Sequence, residues 1–500
     1  MSTLRQLGAN STIYALTSLL QKGSAFLLMP LYTLYLDPAA YGVLAIVTAV
    51  NGFLGIAFTL GLTGAVTRFY FEYRDDPSTL AEFWGSVLSF VLMLSMLLAG
   101  LLLVVGDRLL RPLLGDVPFW PYVALGVIAT FFQPFFTTFL AVLQARNQAG
   151  RYAFISLAHF VLTTVLTVTL VVVLHWGVTG ALTATLAATV CFFMVSLYLM
   201  RADLRFCLRW RHLREALAYS FPQIPHSIAS QTTAMADRLI LNSRLGTAVA
   251  GLYSVGAMIA MAVEVVANSV NRAYVPLSMS ALKSRNPAEL AQMRSLGALV
   301  VAGFCLLGAS VGAFGPEIVR LLTTPQFSST ASIVPVLVFS GVATAIYYLL
   351  VNVLFFDRRA IRLLPVCTLF GAALNVSLTL ALIPRFGLIG AAVANLLAQM
   401  LATALVAVVG RRFDPVQWDY GRYAAAFMCG LVCALCLGNL DPGGPIVAVA
   451  CKVAGLALLA VLLGVILWRQ PFIFIQAAAR VLRHRPAEAA ALFMRSRAAT

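Results

Sequence analysis

Charge is what this chain has least of. Only 10% of its 500 residues are Asp, Glu, Lys or Arg, and the acidic ones number 18. An ordinary soluble domain carries roughly 25%. A soluble fold of this length needs far more polar surface to cover its core, so a soluble enzyme, a nucleic-acid-binding domain and a disordered scaffold are excluded. The eight cysteines give no disulfide framework. Seven of them (Cys191, Cys305, Cys367, Cys429, Cys433, Cys436 and Cys451) lie inside apolar runs, where cysteine acts as a small hydrophobe. Cys429, Cys433 and Cys436 have helical spacing, but no His or carboxylate beside them completes a ligand set, so no metal is expected. The five histidines do not cluster in sequence. No phosphate-binding loop or H-E-x-x-H motif occurs. Neither a built-in ATPase, a hydrolase nor a bound cofactor is expected. No cleavable signal is evident either, and the first helix is expected to act as its own insertion signal.

What the chain has is apolar length. Hydrophobic residues make up 61%, and segments of about 20 residues, long enough to cross a bilayer, recur throughout. They are 12–36, 40–67, 84–106, 119–142, 153–174, 178–199, 218–242, 249–272, 293–314, 332–355, 363–383, 387–409, 422–438 and 446–468. The expected fold class is all-α, a polytopic membrane protein of about 14 transmembrane helices. With the N-terminus inside, 26 of the 34 basic residues fall on the cytoplasmic side and five opposite. That bias places both termini in the cytoplasm. The net charge of +16 then reads as basic loops facing anionic headgroups, not as a nucleic-acid site.

The chain also repeats itself. Gly177-Val178-Thr179-Gly180-Ala181 matches Gly387-Leu388-Ile389-Gly390-Ala391 at an offset of 210, between the fifth and sixth span of each half. Val66-Thr67-Arg68-Phe69-Tyr70 echoes Val270-Asn271-Arg272-Ala273-Tyr274 at 204. Six helices per half is even, so the halves have the same orientation and are related by an axis along the membrane normal. The expected organisation is an N-lobe over 1–200, a basic cytoplasmic linker over 201–217 and a C-lobe over 218–410. Helices 13 and 14 follow over 411–470, then a basic cytoplasmic tail over 471–500. Two lobes with a central cavity between them is the geometry of alternating access.

A charge at mid-bilayer costs roughly 2.5–3.5 kcal/mol on insertion scales, so each one needs a reason. In the seventh span Gln223, His226, Ser230, Thr233 and Asp237 share one helical face, with Arg238 beside it. In the eighth, Glu264, Asn268, Asn271 and Arg272 do the same. The first span carries Thr17, Gln21, Lys22 and Ser24, and the second Asn51 and Arg68. Packing alternatives stand beside the functional reading. Asp237 and Arg238 could form a buried ion pair, and Arg68 and Arg272 could snorkel to headgroups. Pro30 in the first span, with Pro222 and Pro225 at the start of the seventh, suggests matching gates or hinges, although proline is common in membrane helices.

Particular stretches resemble a family. Pro30-Leu31-Tyr32 followed by Leu36-Asp37-Pro38-Ala39-Ala40-Tyr41-Gly42 is similar to the Wzx-type O-antigen and exopolysaccharide flippases. So are Gly61-Leu62-Thr63-Gly64-Ala65-Val66-Thr67-Arg68-Phe69-Tyr70 and Asp237-Arg238-Leu239-Ile240-Leu241, followed by Leu245-Gly246 and Gly251-Leu252-Tyr253-Ser254. These flippases share a superfamily with the lipid II flippase and the multidrug and toxin extrusion antiporters. The resemblance covers the whole chain. It implies a secondary transporter that flips an undecaprenyl-diphosphate-linked oligosaccharide from the inner to the outer leaflet of the bacterial cytoplasmic membrane through a central cationic cavity. Lys22, Arg68, Arg238 and Arg272 would pair with the diphosphate, and Gln223, His226, Asn268 and Asn271 would face sugar hydroxyls. Glu264, ranked first, or Asp237 would couple transport to a proton or sodium ion. Implied partners are that lipid-linked substrate, membrane lipids and the polymerase and export proteins of the same pathway.

Two other readings are weighed. A drug or cation antiporter of the same superfamily needs intramembrane carboxylates, and only Asp237 and Glu264 lie deep enough. A membrane glycosyltransferase or polymerase would be expected to need a carboxylate or His constellation on a substantial outer loop, and the outer loops here look too short.

Overall fold

A computed structural model describes residues 17, 26, 28–357, 359–413, 416–440 and 444–468. Lys22 and the 471–500 tail lie outside the described residues. Among those residues there is no strand, and eleven helices are long and apolar enough to cross a membrane. They account for twelve of the expected spans, because Leu364–Gly410 carries two. At 47 residues that helix would run about 70 Å if straight, and it breaks at Gly387, where φ is +57. Of the remaining expected spans, 218–242 is seen as a 22-residue helix, Ile224–Leu245, too polar to count among the eleven. The other, 12–36, lies mostly outside the described residues and is helical over 28–35.

The repeat seen in sequence is repeated in backbone. Gly177 has φ +55 and Gly387 φ +57, a region glycine enters without strain. Three residues on, a Cβ on Gly180 would sit 3.0 Å from the Leu170 carbonyl oxygen, and one on Gly390 would sit 2.5 Å from that of Leu382. Each half thus makes the same tight corner with the same Gly-x-x-Gly. Helix starts follow a second rule. Asp37, Asp76 and Asn286 each precede a proline and cap the next helix through a side-chain oxygen.

These corners define the two ends of the bundle. The turns at Asp37, Gly115, Gly177, Gly246 and Gly387 lie at one end, called here the far end. The 201–209 segment lies at the other, the linker end. The halves are joined at the far end. Asn242, buried, donates its side-chain amide to the Leu114 carbonyl at 2.6 Å. Thr33 donates to the Leu322 carbonyl at 3.0 Å, and Thr324 donates to the Thr33 carbonyl at 3.3 Å. Pro38–Thr59 crosses Thr247–Ser284 so closely that a Cβ on Gly42 would overlap the Thr247 carbonyl, and one on Gly251 the Pro38 carbonyl.

At the linker end, residues 201–209 are irregular and Trp210–Ser220 is a short helix. Asp203 forms a two-bonded pair with Arg146, both contacts at 2.7 Å. Glu215 accepts from the Tyr73 hydroxyl at 2.7 Å. The linker is therefore fastened to the first half.

Lys452 shows why a lysine sits inside the last apolar helix. It is buried, and its ammonium lies 2.5 Å from a Glu317 oxygen on the short Gly315–Leu322 helix. The ion pair pins Ile446–Trp468 against the C-terminal half. Removing one member of such a pair is costlier than removing both, because a buried charge is left alone. Glu317→Ala is expected to destabilise the protein by on the order of 3 kcal/mol, and Glu317→Ala with Lys452→Met by much less. Thermal unfolding of the detergent-purified variants checks this. Equal losses in the single and double variants would mean that the pair is not what holds the helix.

Candidate substrate cavity

A cavity of about 570 Å³ is lined, among the described residues, by side chains between His226 and Ala402. His226, Phe355 and Leu364 mark the linker end, while Asp237, Ser340 and Asn395 lie deeper. Thr233, Tyr347, Tyr348, Thr368 and Gln399 add neutral polar groups to the wall.

The polar faces expected from spacing supply part of this wall. His226, Asp237 and Arg238 come from Ile224–Leu245, and Glu264 and Asn271 from Thr247–Ser284. Asn271 accepts from the Asn352 amide at 3.1 Å, and His226 lies 3.3 Å from the Thr368 hydroxyl. The other expected cavity residues sit elsewhere. Arg68 pairs with Glu72 at 3.4 Å on an exposed helix face. Gln223 donates to the Tyr219 carbonyl at 3.4 Å within the exposed Phe221–Gln223 turn, beside Pro222. Arg272 contacts Asn268 at 3.3 Å, and neither is in the lining. Pro30 lies within the helical 28–35 stretch, and Pro225 opens Ile224–Leu245 next to the turn that breaks the chain at Phe221–Gln223.

The expected Asp237–Arg238 pair does not form. Adjacent residues on a helix point about 100° apart, and here they serve different neighbours. Asp237 is buried and accepts from Tyr253 at 2.6 Å, Asn395 at 2.8 Å and Thr379 at 3.1 Å. Ser340 donates onward to the Asn395 carbonyl oxygen at 2.5 Å. The carboxylate is thus held by three neutral donors from two helices. Arg238 donates to the Ala234 carbonyl at 2.5 Å and contacts the Met235 sulfur at 3.3 Å, both on its own helix. Among the described residues no carboxylate lies within ion-pair distance of its guanidinium. Glu264 lines the same cavity and is exposed.

Sequence reasoning missed the Asp237 partners. The available signal was in Leu364–Gly410, where Asn375 and Thr379, and Asn395 and Gln399, are spaced four apart inside apolar runs. Among the described residues, none of the first half is in this lining. Its Asn51 is packed against Gly126, and its Thr17 is buried.

The described residues form an all-helical bundle with a cavity walled partly by polar side chains. The solved structures it resembles are transporters. A lipid II flippase MurJ in an inward closed conformation superposes with a TM-score of 0.69 at 13% identity, over 92% of this chain and 99% of that one. An inward-facing multidrug resistance MATE family transporter of the MOP superfamily gives 0.61 at 19% identity, over 81% and 95%. The chain belongs to the polysaccharide biosynthesis protein family, whose model matches residues 7–282. Among curated relatives, Lsg locus putative protein 1 of Haemophilus influenzae is 25% identical over 76% of this chain and 94% of its own length. Amylovoran biosynthesis protein AmsL of Erwinia amylovora is 27% identical over 25% of this chain and 32% of its own.

Proposed function

We propose that the protein is a secondary transporter that flips an undecaprenyl-diphosphate-linked oligosaccharide from the inner to the outer leaflet of the bacterial cytoplasmic membrane. It would act by alternating access, for O-antigen, capsule or exopolysaccharide assembly. One observation carries the reading. Arg238 presents a permanent positive charge to the cavity wall, and among the described residues no carboxylate lies within ion-pair distance of it. A cation inside a membrane is costly and calls for an anionic partner, and a diphosphate is a doubly matched partner for a guanidinium. The tyrosines, threonines and amides of the wall offer the neutral hydrogen bonds that sugar hydroxyls need. The far end, closed in this structure, is proposed to face the periplasm, with both termini and the linker in the cytoplasm. The membrane potential favours outward movement of an anion by about 2.3 kcal/mol per charge per 100 mV.

Asp237 and Glu264 are the proposed ion-coupling residues. Asp237 is buried among oxygen- and amide-bearing side chains at the cavity, and Glu264 lines the same cavity.

The test is reconstitution with a fluorescent undecaprenyl-diphosphate oligosaccharide and no sugar donor. Flipping in protein-containing vesicles, absent from empty ones, is expected. Its absence, alongside uptake of a cationic dye, would establish the antiporter reading instead. In the same vesicles Asp237→Asn is expected to abolish the response to imposed proton or sodium gradients. If Asp237→Asn and Glu264→Gln both respond like the parent, the carboxylates do not couple transport.

A further inference from the structure

The linker carries a surface that transport through the cavity does not use. Residues 204–209, without regular secondary structure, lie against the Pro77–Leu114 helix. The Arg205 amide donates to the Ala81 carbonyl at 3.1 Å, the Arg209 amide donates to the Ser86 hydroxyl at 3.1 Å, and the Cys207 sulfur lies 3.4 Å from that hydroxyl. Cys207 faces that helix, while Phe206 and Leu208 are 55% and 53% exposed. Trp210 follows at 69%. Around them stand Arg201, Arg205, Arg209, Arg211 and Arg214, all exposed.

The nearby acids are already engaged. Asp203 is taken by Arg146, Glu215 is met by Tyr73 and Arg211, and Glu82 is shared by Arg205 and Arg209 at 3.9 and 3.5 Å. Among the described residues no carboxylate lies within ion-pair distance of Arg201 or Arg214. The surface is therefore cationic, studded with aromatic and aliphatic side chains, and rigid. The chain's own tail is a poor cover for it, since Arg480, Arg483, Arg485, Arg495 and Arg497 give that tail the same charge. Indole and phenyl rings favour the depth of lipid headgroups, and guanidinium groups favour their phosphates.

We propose that residues 201–211 form a strap that binds anionic phospholipid and so anchors the first half to the membrane surface. The strap selects the anionic lipid over a zwitterionic one because arginines, not apolar contact alone, make the grip. This does not depend on what the cavity carries.

The test uses the full chain in vesicles containing brominated phosphatidylglycerol or brominated phosphatidylcholine at equal fraction. The Trp210 contribution to fluorescence is taken as the difference between the parent and Trp210→Phe. Brominated phosphatidylglycerol is expected to quench it at about fivefold lower content. The preference should shrink as salt is raised and vanish when Arg201, Arg205, Arg209 and Arg211 are all changed to Gln. Equal quenching by both lipids in the parent would mean generic bilayer contact and overturn the proposal. No quenching by either would place the strap away from the bilayer and overturn it as well. The parent and its salt response decide the matter even if the fourfold variant does not fold.

Discussion

Arg238→Gln is expected to reduce reconstituted flipping by about 30-fold to several thousand-fold, with the protein still inserted and its unfolding temperature nearly unchanged. The two halves of that expectation come from the same geometry. Breaking one side of a buried, hydrogen-bonded charge pair costs on the order of 2–5 kcal/mol, and each 1.4 kcal/mol is about tenfold in affinity. The partner lost here is the substrate's diphosphate, so the cost falls on transport. Among the described residues, the Arg238 guanidinium hydrogen-bonds the Ala234 carbonyl and the Met235 sulfur, both on its own helix, and lies 5.9 Å from the Tyr253 ring. No carboxylate is left orphaned when the charge goes. Arg238→Lys should recover part of the rate, because a point charge replaces a two-pronged donor. A large drop in thermal stability with residual flipping intact would recast Arg238 as a packing residue.

The class of fold was legible in composition because lipid demands it. Low charge and bilayer-length apolar runs have few other outcomes. Span positions were legible for the same reason, and the Gly177 and Gly387 corners marked the repeat. The end of a helix was less legible. Thr247–Ser284 runs 38 residues, well past a bilayer's thickness, because nothing in its polar end forbids helix in water. The cavity was half legible. Helical spacing correctly put His226, Asp237, Glu264 and Asn271 on faces that meet, but spacing within one helix says nothing about which helix lies opposite. Asp237 was read against its sequence neighbour Arg238, whereas its partners Tyr253, Thr379 and Asn395 come from 16 to 158 residues away. How Val334–Phe356 and Leu364–Gly410 enclose the polar faces is likewise a packing outcome.

Gly251→Ala is expected to part the halves at the far end and shift the resting state toward one open there. Pro38 and Thr247 each begin a helix, and Gly42 and Gly251 each lie one turn further on. The contacts are reciprocal: each glycine receives the carbonyl that begins the other helix, so a Cβ on either would overlap backbone that cannot rotate away. Small residues are what allow such close helix crossings in membranes. Overpacking costs typically 1–3 kcal/mol, about 5- to 150-fold in an equilibrium, and a transporter's two states differ by only a few kcal/mol. The cost applies only while the crossing is closed, so it moves the balance between states more than the stability of either. Spin labels at Ala39 and Ala248, exposed positions on opposite sides of the crossing, should show the longer distance gaining population in Gly251→Ala. Gly42→Ala should do the same. Because both substitutions act on one contact, the double variant should shift the balance by clearly less than the sum of the two single effects, the first Cβ having already moved the helices apart. Fully additive shifts would mean that the glycines act at separate places. An unchanged distance distribution in both single variants would mean that this crossing is not the seal between the halves.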